Sequence, residues 1–304
     1  MTKTVLITGL SGFVGRHMCN YLAALSDPPK IVGIDISGIG STKCDCFYNF
    51  DLSSAKNVED VIKQTKPHFI IHFAGRSNTE HYEGLFSANV LSIAALLESA
   101  RRHVPDVVVV AVGSAAEYGW IKPEQLPITE QALCAPVTAY GLSKLLATQT
   151  ALYYHRVHNI CVMIVRPFQL IGKGAPSHLA PGAFAEQLKQ ALALGSTVIR
   201  VGNLESCRDF LDVHDAVEAI WALCNKPAPG QIFNLSSGKP TRMADLLHIM
   251  INHCGVDVKI EEDPARLRAT SDVSISYGSF RKVNAHCGWG PKMSLHESIS
   301  EMFK

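Results

Sequence analysis

Hydrophobic positions follow two different periods along the first half of the chain. Short, almost continuously apolar runs alternate with longer stretches in which apolar residues recur every three or four positions. The short runs are typical of strands buried on both faces, and the longer stretches are typical of amphipathic helices. Strands are predicted at Thr4–Ile7, Lys30–Ile34, Phe69–Phe73, Val107–Val112 and Val162–Val165, and helices at Val14–Ala24, Ala55–Gln64, Leu85–Arg102 and Tyr140–His155.

Strands that alternate with helices predict an α/β fold, a Rossmann-type doubly wound parallel sheet with helices on both faces. After Arg166 the pattern changes to a loop rich in Gly, Pro and Ser over 172–181. Beyond it we predict helices near 183–194, 213–224 and 243–253, strands near 198–201 and 232–235, and then mostly loops. We expect one domain at 1–166 plus about 205–235, and a smaller, interleaved C-terminal domain at 167–204 and 236–304 that covers the carboxyl end of the sheet.

Composition excludes some classes of protein. The 28 Lys+Arg residues balance 27 Asp+Glu residues, so a broad basic face for nucleic acid is not expected. The longest apolar run, Val107–Val112, is far shorter than the roughly 20 residues that cross a membrane, and the first residues lack a signal-peptide pattern. We therefore expect a cytoplasmic protein without membrane partners. The nine cysteines include a single close pair, Cys44-x-Cys46, without a matching second pair, and no metal site is predicted.

A glycine-rich turn follows the first predicted strand and opens the first predicted helix. Gly9 and Gly12 let the backbone turn tightly and approach a pyrophosphate, and Gly15 allows close helix–strand packing. The amino end of a helix offers unpaired N–H groups to such an anion. Asp35 ends the second strand, where a carboxylate can accept hydrogen bonds from an adenosine ribose and repel a 2′-phosphate. This pattern predicts a dinucleotide site that favours NAD(H) and is compatible with NADP(H). Asp51, at the end of the next short strand, is a candidate for the adenine.

Three further residues carry candidate chemistry. Tyr140 and Lys144 are four positions apart and share one face of a predicted helix. A free tyrosine ionises near pH 10, and a neighbouring cation is expected to bring its pKa toward working pH. Ser114 follows the strand that ends at Val112 and can hold a substrate oxygen opposite the phenol. Together with the glycine turn, this trio predicts a dinucleotide-dependent enzyme.

The chain resembles the extended short-chain dehydrogenase/reductase superfamily over nearly its whole length, and within it the reductases of GDP-6-deoxy-4-keto-mannose and their GDP-mannose 4,6-dehydratase relatives. The motifs that carry the resemblance are Thr8-Gly9-x-x-Gly12-Phe13-x-Gly15, His72-Phe73-Ala74-Gly75, Asn89-Val90, Ser114 with Tyr118-Gly119, Tyr140-x-x-x-Lys144, Arg166-Pro167-Phe168, Arg208-Asp209-Phe210-x-x-Val213-x-Asp215, Asn234-Leu-Ser-Ser-Gly238, Asp263-Pro-Ala-Arg-Leu-Arg268 and Gly288-Trp-Gly-Pro291.

The resemblance implies a role for each matching residue, with NAD(P) on the first domain and a nucleotide sugar on the second. It implies a homodimer as well, and GDP as the favoured nucleotide. Ser114, Tyr140 and Lys144 would be catalytic. The cofactor would contact Gly9, Gly12, Phe13, Val14, Gly15, Asp35, Asp51, Leu52, Ala74, Gly75, Tyr140, Lys144 and Pro167, and the substrate would contact Ser114, Gln169, Arg208, Arg268 and Asp272.

Departures from the family pattern refine the reaction. The usual Asn after Arg-Pro-Phe is Gln169, and Gly-Pro-Gly reads Gly172-Lys173-Gly174. The 4,6-dehydratases carry a carboxylic acid two residues before the tyrosine of the Tyr118-Gly119 pair, where this chain has Ala116. Glu117 is one position away, and in an extended segment its side chain would point to the other side.

The expected activity is therefore the NAD(P)H-dependent reduction of a nucleotide-activated 4-keto-6-deoxy sugar, most simply GDP-4-keto-6-deoxy-mannose or a heptose analogue. In this reaction Tyr140 would donate the proton. The alternatives are an NAD-retaining nucleotide-sugar 4-epimerase, which uses the same trio, then a 4,6-dehydratase, and lastly a nucleotide-sensing protein without activity.

Overall fold

The computed structural model describes residues 2–40, 42–77, 82–195, 197–266 and 273–304. Its strands, in chain order, are β1 (Thr4–Thr8), β2 (Lys30–Asp35), β3 (Cys46–Asn49), β4 (Phe69–His72), β5 (Val108–Val112), β6 (Cys161–Pro167), β7 (Gln169–Ile171), β8 (Val198–Val201), β9 (Cys207–Asp212), β10 (Ile232–Leu235), β11 (Pro240–Arg242), β12 (Lys259–Glu262) and β13 (Ile275–Ser276).

The helices alternate with these strands over most of the chain. They are α1 (Phe13–Ala23), α2 (Ala55–Thr65), α3 (Tyr82–Phe86), α4 (Ser92–His103), α5 (Ala139–His158), α6 (Ala180–Leu194), α7 (Val213–Asn225), α8 (Met243–Cys254), α9 (Arg281–Cys287) and α10 (Leu295–Phe303). A π-helical turn, Ser87–Leu91, joins α3 to α4, so the single helix predicted over 85–102 contains a widened turn.

A seven-stranded parallel sheet forms the larger part of the molecule, in the order β10-β6-β5-β4-β1-β2-β3. Successive side chains of β1 reach opposite faces, as the alternation along a strand requires. Val5 and Ile7 pack with α1 and α7 on one face, while Leu6 packs with α2 and α4 on the other. Both faces are covered by helices, which confirms the predicted Rossmann-type fold.

The order of the strands also gathers the loops that carry the predicted chemistry. Strand β4 lies between β1 and β5, so the carboxyl ends of these three strands are neighbours at one edge of the sheet. The residues that follow them are Gly9, Phe73 with Ala74, and Gly113 with Ser114. From β1 the chain first adds β2 and β3 on one side and then β4, β5 and β6 on the other, and doubly wound folds bind ligands at such a switch point.

A smaller region lies beyond β6. Strand β9 pairs with β7, β11 and β13, and β8 pairs with β12. Helices α6, α8 and α10 pack around a separate apolar cluster that includes Phe184, Leu247 and Ile299. The prediction of mostly loops after 253 is wrong, because β12, α9 and α10 follow. Each is short, and α10 begins with a capping box between Ser294 and Glu297.

The segment 205–235 divides between the two regions. Strand β9 belongs to the smaller sheet, whereas β10 pairs with β6 at the edge of the main sheet and α7 packs against α1. The domain limits given above stay a prediction, and the structure shows how closely the two regions are interleaved.

Candidate active site

The glycine turn after β1 has the geometry of a phosphate cradle. Gly9 has a φ of +71°, and a Cβ atom there would lie 2.7 Å from the Ala74 nitrogen. A Cβ on Gly15 would lie 2.2 Å from the Gly9 carbonyl oxygen, so neither position tolerates a side chain. Gly12 is the N-cap of α1 and has no side chain to cap the first N–H groups of the helix. These groups fit the diphosphate of a dinucleotide.

Asp35 lies at the end of β2, directly beside this turn. One carboxylate oxygen accepts a hydrogen bond from the Ser11 N–H at 2.9 Å, and the other accepts one from the Ser37 N–H at 2.8 Å. The carboxylate is partly exposed, so each oxygen retains capacity for a ribose hydroxyl. Asp35 therefore connects the glycine turn to the end of β2.

The other predicted cofactor residues surround the same edge of the sheet. Strand β3 ends at Asn49, before the Asp51-Leu52 pair that we expected to close it. Asp51 is exposed and accepts the Ser53 N–H at 2.8 Å, whereas Leu52 is buried in the core. Phe13 and Val14 begin α1, Ala74 and Gly75 follow β4, and Pro167 ends β6.

The structure brings the three predicted catalytic residues together. Ser114 is the N-cap of a 3₁₀ turn, Ala115–Glu117, and its hydroxyl accepts the Ala116 N–H at 3.1 Å. Tyr140 is the second residue of α5, and its side chain lies close enough to Ser114 for the serine side chain to lower the pKa of the phenol. The Lys144 Nζ donates to the Val112 carbonyl oxygen at 2.8 Å. A phenol, a hydroxyl and an ammonium group thus meet at the end of β5.

The ionisation of this trio differs from our expectation in one respect. Burial raises the pKa of Tyr140 above its usual value, and the neighbouring Ser114 side chain acts in the opposite direction. The expected effect of Lys144 is wrong for this state of the protein, because its ammonium is directed to the Val112 carbonyl. Burial lowers the pKa of Lys144 to about 8.

The surroundings of Glu117 differ from those predicted. Residues Ala115–Glu117 form a 3₁₀ turn, so the prediction that the Glu117 side chain points to the other side of an extended segment is wrong. Its side chain is fully buried and forms an ion pair with Arg166, whose Nε and terminal nitrogen both lie 2.8 Å from one carboxylate oxygen. The available signal was the spacing Ser114-x-x-Glu117, which is that of a capping box.

Two of the predicted substrate residues lie on neighbouring strands of the smaller sheet. Gln169 begins β7 and pairs with Phe210 of β9, two positions from Arg208. The Arg208 guanidinium donates to the Cys207 carbonyl oxygen at 2.9 Å. Arg268 and Asp272 lie outside the described residues.

Two further polar residues, Asn89 and Asp209, belong to the family motifs but were not predicted to have a role in the site. Asn89, in the π-helical turn, donates to the Ser143 hydroxyl at 2.8 Å and accepts the Arg76 N–H at 2.8 Å. Asp209 is fully buried beside Arg208 and accepts four hydrogen bonds from Ser237, Gly238 and Gly278. Both join segments that are distant in the sequence, which single-sequence patterns do not reveal.

Within the described part of the chain, no group of three or more His, Cys, Asp and Glu side chains is arranged to hold a metal ion. No helix there is long and apolar enough to span a membrane.

The chain is similar to known proteins over most of its length. The model of the NAD dependent epimerase/dehydratase family matches residues 5–236. The chain is 27% identical to GDP-6-deoxy-D-mannose reductase of Pseudomonas aeruginosa, over 98% of this chain and 95% of that protein. It is 25% identical to dTDP-6-deoxy-L-talose 4-dehydrogenase (NAD(P)(+)) of Kitasatospora kifunensis, over 98% and 94%. The solved structure of RMD from Pseudomonas aeruginosa complexed with NADPH superposes with a TM-score of 0.88 at 25% identity, over 99% of this chain and 98% of that one.

Proposed function

The chain belongs to the NAD dependent epimerase/dehydratase family, and from this premise we propose that it is an NAD(P)H-dependent reductase of a nucleotide-activated 4-keto-6-deoxy sugar. The preferred substrate is GDP-4-keto-6-deoxy-mannose or its heptose analogue. The name of the relative from Pseudomonas aeruginosa, a GDP-6-deoxy-D-mannose reductase, supports the choice of nucleotide and sugar.

The trio at the end of β5 supplies the proton chemistry. Ser114 holds the substrate carbonyl oxygen by a hydrogen bond, and Tyr140 donates a proton to that oxygen. Lys144, buried behind Gly75, holds the nicotinamide ribose. A bound NAD(P)H would supply the hydride from its nicotinamide. The cradle of Gly9, Gly12 and Gly15 would hold the diphosphate of the cofactor, and the partly exposed Asp35 would hold its adenosine ribose.

The observation that carries this proposal is the composition of the turn after Ser114. Removal of water across C5 and C6 of a sugar needs an acid–base group beside the trio. Position 116 is alanine, and the carboxylate of Glu117 is already paired with Arg166 and fully buried. Reduction of a ready-made ketone needs the trio and a hydride from the nicotinamide but no further acid–base group, so this site favours reduction over dehydration.

The nucleotide part of the substrate is assigned to the smaller region. Arg208 and Gln169 lie on adjacent strands, and guanidinium groups suit the diphosphate. Arg268 and Asp272 complete the assignment by family resemblance.

NADH is the proposed preferred cofactor, because the Asp35 carboxylate lies beside the glycine turn where a 2′-phosphate would be repelled. The neighbour that binds NADPH and the relative named for NAD(P)(+) make both cofactors necessary in the assay.

A homodimer is proposed from an apolar stripe on α5. Leu142, Leu146, Tyr153 and Val157 are exposed at positions that share one side of the helix. A stripe on one helix can meet its own copy across a two-fold axis. Light scattering on the eluted protein should give twice the 33.1 kDa chain mass, and Leu146→Glu should reduce it to one chain. Leu194→Glu, at an exposed position of α6, serves as the matched control.

The decisive experiment offers the protein a panel of nucleotide 4-keto-6-deoxy sugars while NADH and NADPH absorbance is followed. A reductase oxidises one cofactor equivalent for each ketone consumed. Protein that purifies with bound NAD and interconverts 4-epimers without added reductant would identify the epimerase. Formation of a 4-keto product from GDP-mannose without added reductant would identify the dehydratase, and either result overturns the proposal.

A further inference from the structure

We propose that Glu117 is a positioning residue whose buried carboxylate fastens the turn that carries Ser114 to the helix that carries Tyr140 and Lys144. The inference rests on the proposed function, since it assumes that these three side chains perform the reaction. Nothing in the chemistry of reduction itself requires a carboxylate here. The role comes from what the two carboxylate oxygens touch.

Each oxygen of Glu117 has its own partners on different elements. Oε1 accepts the Ser114 N–H at 2.9 Å and the Thr148 hydroxyl at 3.1 Å. Oε2 accepts the Nε–H of Arg166 at 2.8 Å. The first contact lies in the turn after β5, the second on α5 one turn beyond Lys144, and the third on β6. One side chain therefore connects the two elements that hold the trio and attaches both to the sheet.

The residue type at position 113 is a second observation that supports a specific place for the Glu117 carboxylate. A Cβ atom at Gly113 would lie 2.2 Å from Glu117 Oε1 and 3.3 Å from the Thr148 hydroxyl oxygen. Its backbone is in an ordinary conformation, so a glycine is not needed for the turn itself. The absence of a side chain here makes room for the carboxylate.

The charge of Glu117 also acts on the trio. Among the described residues, His72 from β4 and Glu117 interact electrostatically with Lys144, and the carboxylate raises the pKa of Lys144 against the effect of burial. It raises the pKa of Tyr140 in the same direction as burial. On its other side Glu117 faces Arg166, which opposes the increase that burial causes in the pKa of Glu117. Loss of this negative charge should thus lower the pKa of both Tyr140 and Lys144.

The expected decrease in the pKa values of Tyr140 and Lys144 can be tested with Glu117→Gln. The amide keeps an oxygen that accepts the Ser114 N–H but removes the charge. Tyr140 must be protonated and Lys144 charged for reduction, so the alkaline limb of the kcat/KM profile should move to lower pH. Glu130→Gln is the matched control, because Glu130 also accepts a backbone N–H, that of Asn234 at 2.8 Å, away from the trio. Its profile should coincide with that of the wild-type protein.

A second variant separates positioning from charge. Glu117→Ala removes the contacts to Ser114 and Thr148 as well, and kcat should fall about 10- to 100-fold while the KM for the cofactor stays within about twofold. Glu117→Gln combined with Arg166→Met guards against instability from an unpaired buried guanidinium. The shift of the alkaline limb should persist in this double variant.

A measurement without substrate keeps the inference distinct from the proposed function. The phenol of Tyr140 can be titrated by ultraviolet difference absorbance between each protein and the same protein carrying Tyr140→Phe. Its midpoint should be lower with Gln at position 117 than with Glu. An unchanged midpoint together with an unchanged pH profile would overturn the inference. If no ketone on the panel is reduced, the proposed function fails and this titration still decides the role of Glu117.

Discussion

Two fully buried carboxylates, one in each region of the molecule, are satisfied in different ways. Glu117, beneath the catalytic turn, pairs with the Arg166 guanidinium and accepts two further hydrogen bonds. Asp209, in the smaller sheet, accepts its hydrogen bonds from the N–H and hydroxyl of Ser237 and from the N–H groups of Gly238 and Gly278, at 2.7 to 3.1 Å. Burial raises the pKa of Asp209, and these hydrogen bonds oppose the increase.

The difference shows how each region performs its task. Glu117 joins elements that carry reacting groups, and its charge is felt by Tyr140 and Lys144. Asp209 lies in β9, the strand that carries Arg208. Its hydrogen bonds connect this strand to the turn at 236–238 and to Gly278. We therefore expect changes near Glu117 to act on kcat and its pH dependence, and changes at Asp209 to act on substrate binding and stability.

The largest expected effect is at the phenol itself. Tyr140→Phe should reduce kcat by about 10²–10⁴-fold, because the proton donor is lost while the ring remains. Cofactor affinity, measured by quenching of protein fluorescence, should stay near the wild-type value. Tyr154→Phe on the same helix is the control, since its hydroxyl donates to Glu98 at 3.4 Å and is not part of the trio. Near-normal turnover in Tyr140→Phe would refute the proton-donor assignment. It would also contradict the assignment of catalysis to the larger region and of substrate binding to the smaller one.

Asp209→Asn tests the other side of the comparison. An amide has one oxygen where the carboxylate has two, so two buried donors lose their acceptor, and the free energy of unfolding should fall by about 2–3 kcal/mol. The KM for the nucleotide sugar should rise about tenfold, equivalent to about 1.4 kcal/mol, with a smaller change in kcat.

The control for this variant is Asp245→Asn, an exposed carboxylate on α8 that pairs with Arg242. It should change neither stability nor KM measurably. A loss of kcat at unchanged KM in Asp209→Asn would contradict the division of roles.

Much of the larger region was predictable because its strands are local apolar runs. The strands β1, β2, β4, β5 and β6 lie within one or two residues of the predicted limits, and the edge of the sheet follows from their parallel order. The glycine turn and the trio were visible as spacings in the sequence. The long-range polar contacts were not visible in the sequence. Glu117 pairs with Arg166, 49 positions away, and Asp209 accepts a hydrogen bond from Gly278, 69 positions away. Hydrophobic periodicity carries no information about such pairs.

A third buried group, His72, gives a pH test that neither carboxylate provides. Burial lowers the pKa of His72 from 6.5 to about 3. Between these values the unfolded chain binds more protons than the folded one, so acidification below pH 6.5 destabilises the fold by up to about 1.4 kcal/mol per pH unit from this residue. Above pH 6.5 its contribution is constant.

His72→Gln removes this titration. The variant should lose a constant amount of stability with the hydrogen bond between His72 and Thr8, which measures 2.7 Å. Urea unfolding at pH 7, 6 and 5 should show a shallower loss of stability on acidification than in the wild-type protein. Equal slopes in the two proteins would show that other groups account for the acid sensitivity.

The smallest expected effect concerns Asp35, where the cofactor meets the larger region. In Asp35→Ala, the ratio of kcat/KM with NADH to kcat/KM with NADPH should fall about three- to tenfold, or roughly 0.7–1.4 kcal/mol. The reason is that the charge that repels a 2′-phosphate is removed. The same change takes away the acceptor of the Ser11 N–H, so the affinity for NADH should fall as well. Asp51→Ala, at an exposed carboxylate that only accepts the Ser53 N–H among the contacts described above, tests whether any nearby negative charge has this effect. If the wild-type protein uses NADPH as efficiently as NADH, the Asp35 carboxylate does not discriminate between cofactors, and its contact with Ser11 is then its main contribution to the site.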